Sequence, residues 1–160
     1  MKKHLAFLLL FLFAVSLNAQ TEEEHHDSEE ESGIYELITS AIYAYSFEHE
    51  EGAAGAEVHL TYWFTHKWGT GLSFTSKFEE EETLYDIALL GSMNPASWVT
   101  INAGPNFGFS GEHREFELGA YAEAEINIRP TEWFHFGPVV GTVLSKNTEF
   151  TVGFNLGFEF

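Results

Sequence analysis

The C-terminal stretch of the chain decides the fold class. Residues 149–160 read EFTVGFNLGFEF, with apolar side chains at every even position and polar residues or glycine at every odd position. This period-two alternation is typical of a β-strand whose two faces meet different surroundings. The same pattern recurs in four other segments, at 56–64, 68–78, 98–109 and 115–128. It is less regular at 34–48, 83–93 and 132–144. The sequence therefore predicts eight strands.

Short segments rich in turn-forming residues separate the predicted strands. The predicted turns lie at 49–52, 66–67, 79–82, 94–96, 110–114, 129–131 and 145–147. None of them is long enough for the helical crossover that parallel strands need, so each strand is expected to pair with the next as a hairpin. Because an open sheet of this size would expose two long edges, we expect an all-β, eight-stranded antiparallel up-and-down barrel.

Alternation alone does not say which face of the barrel points outward. The interior of an eight-stranded barrel is only just wide enough to be filled by side chains, and a row such as Phe150, Phe154 and Phe158 on each strand would overfill it. Apolar rows of about 11 to 13 residues, tilted near 40°, span roughly 25–30 Å, the height of a hydrocarbon band. The pattern favours a transmembrane barrel; a soluble periplasmic ligand-binding barrel is the alternative.

Aromatic residues cluster near the predicted strand ends, where membrane proteins place their interfacial girdles. These residues are Tyr43, Tyr45, Tyr62, Trp63, Trp68, Trp98 and Trp133.

The end of the chain resembles the C-terminal strand signal of bacterial outer-membrane barrels, which the barrel assembly machinery reads. Its residues are Phe154, Leu156, Phe158 and the terminal Phe160. Residues 34–160 as a whole resemble the small eight-stranded OmpA-type barrels, and 62–67, 103–105 and 136–138 are similar to uncharacterised barrels of Bacteroidetes-type outer membranes. The resemblance implies a location in the bacterial outer membrane. It implies no particular activity. We expect a monomer whose partners are membrane lipid and the assembly machinery.

The N-terminal part of the chain has two predicted segments. Residues 1–19 read as a signal peptide, with Lys2 and Lys3 before an apolar run and a cleavage point after Ala19. The apolar run is too short for a transmembrane helix. Residues 20–33 are acidic, contain two histidines and offer nothing from which to build a core, so we expect a disordered tail on the periplasmic side.

Charge and cysteine content exclude several functions. The chain has 25 acidic against 7 basic residues and a formal net charge of -18. Nucleic acid is an unsuitable partner because its phosphates require neutralisation by basic side chains. The cysteine count of 0 excludes disulfides, thiolate metal sites and cysteine catalysis.

If the apolar rows face lipid, the polar rows fill the interior. The predicted lumenal polar network consists of Glu57, His59, Lys77, Asp86, Glu115, Glu117, Glu123 and Glu125, with Glu36 and His135 on the same faces. Two interpretations stay open: a hydrogen-bonded plug, or a site for a divalent metal, Zn²⁺ or Cu²⁺. The candidate metal ligands are His25 and His26 of the tail and His59 and His135 of the interior. No other cofactor is expected.

Enzymatic function has weak support in the sequence. A lipid A hydrolase or acyltransferase needs a nucleophilic serine beside a histidine with an orienting carboxylate. Only Ser73 could approach a histidine, His59, across a predicted hairpin, so no catalytic residue is assigned. A wide pore is excluded because aqueous lumens appear at about 16 strands. The sequence favours a non-enzymatic outer-membrane barrel with a structural or small-ligand or ion-binding role.

Overall fold

The computed structural model describes residues 33–48, 50–79, 83–110 and 116–160. The predicted signal peptide, most of the predicted tail with His25 and His26, and Glu115 lie outside the described residues. In the described part of the chain, no helix is long and apolar enough to cross a membrane.

The described chain forms nine strand segments. They are β1 (Ile34–Ser46), β2 (Glu51–Trp63), β3 (Trp68–Phe78), β4 (Thr83–Ala96), β5 (Val99–Ser110), β6 (Phe116–Ile126), β7 (Ile128–Thr131), β8 (Phe134–Leu144) and β9 (Glu149–Glu159). Only Asn127 separates β6 from β7, and both segments pair with β8, so together they form one strand of the wall.

Antiparallel pairing closes the sheet into a barrel. β1 pairs with β2 from Ile34↔Trp63 to Ser46↔Glu51, and with β9 from Glu36↔Glu159 to Ser46↔Glu149. The pairing of β6 with β8 completes the ring. This confirms the predicted eight-stranded antiparallel up-and-down barrel, in which the long edges of an open sheet are paired with each other.

Two predicted turns are wrong. Residues 94–96 and 129–131 belong to β4 and β7, and the chain reverses at 97–98 and 132–133 instead. The prolines that suggested these turns, Pro95 and Pro130, lie where the pairing register shifts, between Met93 and Ala96 and between Ile128 and Thr131. A strand tolerates proline at such irregularities because no ladder N–H is required there.

The outer wall of the barrel is an apolar belt. Large apolar side chains point outward from every long strand and stay about half exposed, as with Leu60, Leu72, Leu89, Val140 and Phe154. The acidic and amide side chains of the alternate positions are buried inside. The apolar rows therefore face outward, as the membrane interpretation predicts, and the inward-facing arrangement of a soluble barrel is wrong.

The three irregular segments place apolar side chains on both faces. Ile38 and Ile42 of β1 point inward, as do Leu90 of β4 and Val139 and Val143 of β8. Ala88, Leu90, Tyr121 and Val143 form a small apolar layer inside the barrel. Period two is obscured wherever both faces of a strand are apolar, which explains the weaker sequence pattern in these segments.

Most of the predicted girdle aromatics are exposed at the strand ends, including Trp68, Trp98 and Trp133. Trp63 is the exception, because its side chain points into the barrel and its indole Nε1 donates to Glu36 Oε2 at 2.8 Å. Trp63 lies on the same inward-facing row of β2 as His59 and Thr61. The alternation of the strand therefore set the direction of its side chain, and its position near the strand end did not.

Gly157 of β9 leaves room for a buried ring, and enlarging it should destabilise the barrel. A Cβ at this position would overlap the imidazole of His135, which is fully buried and lies within hydrogen-bonding distance of Glu36. We expect Gly157→Ala to lower the free energy of unfolding by about 1–3 kcal/mol, as overpacking does. Urea-induced unfolding of the barrel in detergent micelles measures this change.

Gly91 provides the matched control for that substitution. Its Cβ would meet only the Ala103 carbonyl oxygen at 3.6 Å, an ordinary contact on the outer face. Gly91→Ala should therefore leave stability almost unchanged. Equal effects of the two substitutions would show that the His135 ring can yield and would contradict the tight packing inferred here.

Candidate functional site: the barrel interior

The polar side chains of the interior form three clusters along the barrel. The termini-side cluster is Glu36, Trp63 and His135, near the barrel end where β1 begins and β9 ends. The central cluster is Glu57, His59, Tyr121, Glu123 and Glu125, all at least nine-tenths buried. The loop-side cluster is Lys77, Asp86 and Glu149, near the opposite end.

Both carboxylate oxygens of Glu36 have hydrogen-bond partners in the termini-side cluster, whereas the Nδ1 atom of His135 has none among the described residues. His135 Nε2 lies 2.7 Å from Glu36 Oε1, and the Trp63 indole donates to Glu36 Oε2 at 2.8 Å. Glu36 comes from β1, His135 from β8 and Trp63 from β2, so this carboxylate joins three strands of the wall. Beyond it, Arg129 and Glu159 form an ion pair nearer the mouth.

One side of the central cluster surrounds the Nε2 atom of His59. Glu57 Oε1 lies 3.1 Å from this nitrogen, and the Tyr121 hydroxyl lies 3.3 Å from it. The other oxygen of Glu57 accepts from Thr75 at 2.6 Å and from Tyr121 at 3.2 Å. The imidazole and the Glu57 carboxylate are thus held in one orientation by strands β2, β3 and β6.

The other side of the central cluster lies around the Nδ1 atom of His59. Glu123 Oε1 is 3.7 Å away and Glu125 Oε1 is 3.9 Å away, too far for hydrogen bonds. Asn102 Nδ2 donates to both of these oxygens, at 3.3 and 2.5 Å, and Asn155 Nδ2 donates to Glu125 Oε2 at 2.5 Å. The Nδ1 atom itself has no hydrogen-bond partner among the described residues.

The loop-side cluster contains the buried lysine. Lys77 Nζ lies 2.9 Å from Asp86 Oδ2 and 2.5 Å from Glu149 Oε2, and Asn106 Nδ2 donates to Asp86 Oδ1 at 2.7 Å. These side chains line an open cavity of about 530 Å³, which also contacts the half-buried Glu117. One ammonium between two carboxylates satisfies the charge of Lys77 locally, as a buried charge requires.

The structure separates the two histidines that the sequence nominated for an interior metal site. His59 is grouped with Glu57 and Glu123, whereas His135 is grouped with Glu36 and Glu159. In each group one potential ligand atom from every residue lies within 4.8 Å of the others. Imidazole and carboxylate oxygens are the donor types that Zn²⁺ accepts, so each group has suitable chemistry.

Ser73 lies in the interior, directly opposite His59 in the β2–β3 register. Its hydroxyl donates to Glu57 Oε2 at 3.4 Å and only 2% of the residue is exposed. Sequence reasoning placed Trp63 in the aromatic girdle and not in the interior, and it assigned no role to Asn102, Tyr121 and Asn155. The available signal was their strand phase, since each lies on the polar, inward-facing row of its strand.

Comparison with known proteins supports the architecture. No protein-family model and no curated protein matches the chain. Among solved structures, Ail of Yersinia pestis, in complex with the heparin analogue sucrose octasulfate, has a TM-score of 0.53 and 14% identity, covering 80% of this chain and 97% of that one. Neisserial surface protein A has a TM-score of 0.56 and 11% identity, with coverage of 80% and 97%.

The N-terminal β-barrel domain of OprF from Pseudomonas aeruginosa is also similar, with a TM-score of 0.55 and 17% identity over 81% of this chain and 100% of that one. The chain has the fold of the small eight-stranded outer-membrane β-barrels. Sequence identity this low establishes the fold alone, because one fold carries many functions. The role of this barrel has to be argued from its own residues.

Proposed function

We propose that the chain is a non-enzymatic, monomeric outer-membrane protein with a structural role, whose interior is closed by a polar plug. The observation that carries this proposal is the combination of an apolar belt around the whole barrel with charged and amide side chains buried inside. Such an outer surface is stable in lipid, because lipid acyl chains cover the apolar side chains. A soluble barrel would instead bury its apolar side chains inside.

Strand length supports the membrane location. The eight long strand segments contain 11 to 14 residues each. At about 3.3 Å per residue and a tilt near 40°, the shortest of them spans roughly 25–30 Å, which matches the apolar band of an outer-membrane barrel. Soluble strands are usually nearer five or six residues long.

The side chains buried inside the barrel support a structural role over transport or catalysis. The three clusters occupy successive levels of the barrel, and the apolar layer around Tyr121 adds side chains among them. Ser73, the one serine considered as a nucleophile, is enclosed with its hydroxyl directed at Glu57. A lipid acyl chain outside the barrel cannot reach this hydroxyl without opening the wall.

The proposed partners are outer-membrane lipid and the barrel assembly machinery. The assembly signal is proposed to be the row Phe154, Leu156, Phe158 and Phe160, which faces outward on the last strand, and the N-terminal tail is proposed to lie in the periplasm. We do not extend the polyanion complex of Ail to this chain, because a formal net charge of -18 opposes binding of a sulfated sugar.

Cell fractionation tests the proposed location. The full chain should sediment with the outer membrane and run faster on gels unboiled than boiled, because a closed barrel resists detergent until it is heated. A soluble periplasmic protein followed in the same preparation is the control for leakage. Recovery of the chain with that marker, or identical migration before and after boiling, would contradict the proposal.

A further inference from the structure

His59 and His135 both have a buried Nδ1 atom without a hydrogen-bond partner, but only the Nδ1 of His59 lies within 4 Å of carboxylate oxygens, those of Glu123 and Glu125, among the described residues. His59 is 1% exposed and its Nδ1 atom has no hydrogen-bond partner among the described residues. Leaving a buried polar atom unpaired costs about 1–3 kcal/mol, so its presence calls for an explanation. The atom points at the two carboxylate oxygens of Glu123 and Glu125 rather than at an apolar surface.

We infer that the central cluster is a binding site for one divalent transition-metal ion of the Zn²⁺ class, held by His59 Nδ1, Glu123 and Glu125. This inference goes beyond the structural role proposed above. Glu57 is the positioning residue in this arrangement, because its carboxylate forms the ion-pair contact with the opposite ring nitrogen.

The distances from His59 Nδ1 to the two carboxylate oxygens suit such an ion. Zn²⁺ binds imidazole nitrogen and carboxylate oxygen at about 2.0–2.2 Å, which places neighbouring ligand atoms of a tetrahedral site roughly 3.4 Å apart. The observed separations from Nδ1 are 3.7 Å to Glu123 Oε1 and 3.9 Å to Glu125 Oε1. Both separations exceed the tetrahedral spacing by only a few tenths of an ångström.

The surroundings of the ligands match the second layer of a metal site. A metal-binding histidine usually donates its other ring N–H to a carboxylate, which fixes the tautomer and the ring plane. Glu57 Oε1 lies 3.1 Å from His59 Nε2 as an ion-pair contact, and the Tyr121 hydroxyl is the hydrogen-bond partner of the same nitrogen at 3.3 Å. Asn102 and Asn155 donate to Glu123 and Glu125 in the way that supporting residues orient ligating carboxylates.

Charge also favours a cation in the central cluster. Three buried glutamates surround one imidazole, and Lys77, the one buried lysine among the described residues, is already paired with Asp86 and Glu149. Buried carboxylates require a compensating positive charge or a proton. The imidazole ligand favours Zn²⁺-class ions over Ca²⁺ and Mg²⁺, which take oxygen ligands.

The group around His135 is a poorer candidate and serves as an internal comparison. Both oxygens of Glu36 already have partners, His135 Nε2 and the Trp63 indole, and Glu159 is paired with Arg129. A metal ion bound by Glu36 or Glu159 would have to displace these interactions. The Nδ1 atom of His135 also has no hydrogen-bond partner, but among the described residues the ion-pair contact of His135 is made through Nε2, whereas the Nδ1 of His59 faces Glu123 and Glu125.

Elemental analysis of the full chain tests the inference. The barrel is refolded in detergent with Zn²⁺, treated with EDTA and analysed for retained zinc. We expect about one equivalent, released only on boiling, because a site enclosed by the wall exchanges slowly with chelator. His59→Gln and Glu123→Gln should retain less than about a tenth of it, and Glu57→Gln should weaken zinc binding by about 10–100-fold.

Two control variants distinguish this site from the other histidines. His135→Gln removes the other buried imidazole, and the double variant His25→Ala/His26→Ala removes the tail pair; both should retain the full equivalent. The inference would be overturned if either control variant lost its bound zinc, or if His59→Gln still retained zinc. The absence of EDTA-resistant zinc from the folded wild-type barrel would also overturn it.

X-ray absorption of the zinc-loaded wild-type barrel keeps the inference testable if a variant fails to fold. One imidazole nitrogen with the remaining ligands oxygen is expected, and two or more imidazoles would overturn the assignment. Failure here is distinguishable from failure of the proposed structural role, because zinc retention and zinc ligation do not depend on where the barrel is located.

Discussion

Replacing Glu36 with alanine should cost the barrel about 3–5 kcal/mol of unfolding free energy, the largest effect we expect from a single substitution. Glu36 is 1% exposed, and both of its carboxylate oxygens have partners. Its loss leaves the ring of His135 and the indole N–H of Trp63 buried without their acceptor. Removing one member of a buried pair is costly because the remaining group keeps its desolvation penalty. Urea-induced unfolding in lipid vesicles measures the change.

Glu132→Ala is the matched control for this experiment. Glu132 is an exposed glutamate in the turn between β7 and β8, at the same end of the barrel. A surface substitution of this kind usually changes stability by less than about 0.5 kcal/mol. Similar losses of unfolding free energy for the two variants would show that the Glu36 carboxylate does not link its three strands, and would contradict the role assigned to its hydrogen bonds in the termini-side cluster.

An arginine in the middle of the apolar belt should also destabilise the barrel. Val140 lies near the middle of β8, is 55% exposed and pairs with Val152 of β9 and Ala124 of β6. If lipid surrounds this position, Val140→Arg should cost about 2–4 kcal/mol, the value for a cationic side chain at the bilayer midplane. Unfolding by urea in vesicles gives the difference directly.

Leu144→Arg provides the matched comparison on the same strand and face. Leu144 is the last residue of β8 and is 46% exposed, close to the exposure of Val140. Near the membrane interface the same substitution should cost only about 0–1 kcal/mol, because the charged end of arginine reaches water. The dependence on depth is the diagnostic result. Equal losses of unfolding free energy at both positions would show that the belt lies in a uniform medium and would contradict its location in a bilayer.

The wall of the barrel was predictable because it depends on local sequence. Residues 149–160 alternate without interruption, and the structure forms β9 over Glu149–Glu159 with its phenylalanines outward. The predicted turns at 94–96 and 129–131 failed because proline is a local turn signal. Register shifts against neighbouring strands accommodate Pro95 and Pro130, and no single strand contains that information.

The sequence predicted which side chains lie in the interior, but not which of them contact one another. Strand phase places Glu57, His59, Glu123 and Glu125 inside, and their burial agrees with that prediction. Strand phase does not give the level of each side chain along the barrel. That level depends on the stagger between strands, which follows from pairing across the whole sheet. For this reason the sequence treated His59 and His135 as one group, whereas the structure assigns them to separate carboxylates.

The sequence by itself determined the strands, the closed barrel and the direction in which most side chains point, because a period of two is a property of each strand alone. Tertiary structure alone decided which side chains meet. Glu36 and His135 are 99 residues apart in the chain, and Tyr121 and Glu57 are 64 apart, yet both pairs lie within hydrogen-bonding distance. Closure of β1 on β9 and of β6 on β8 creates these contacts, so the free nitrogen of His59 and the carboxylates it faces become visible only in the closed barrel.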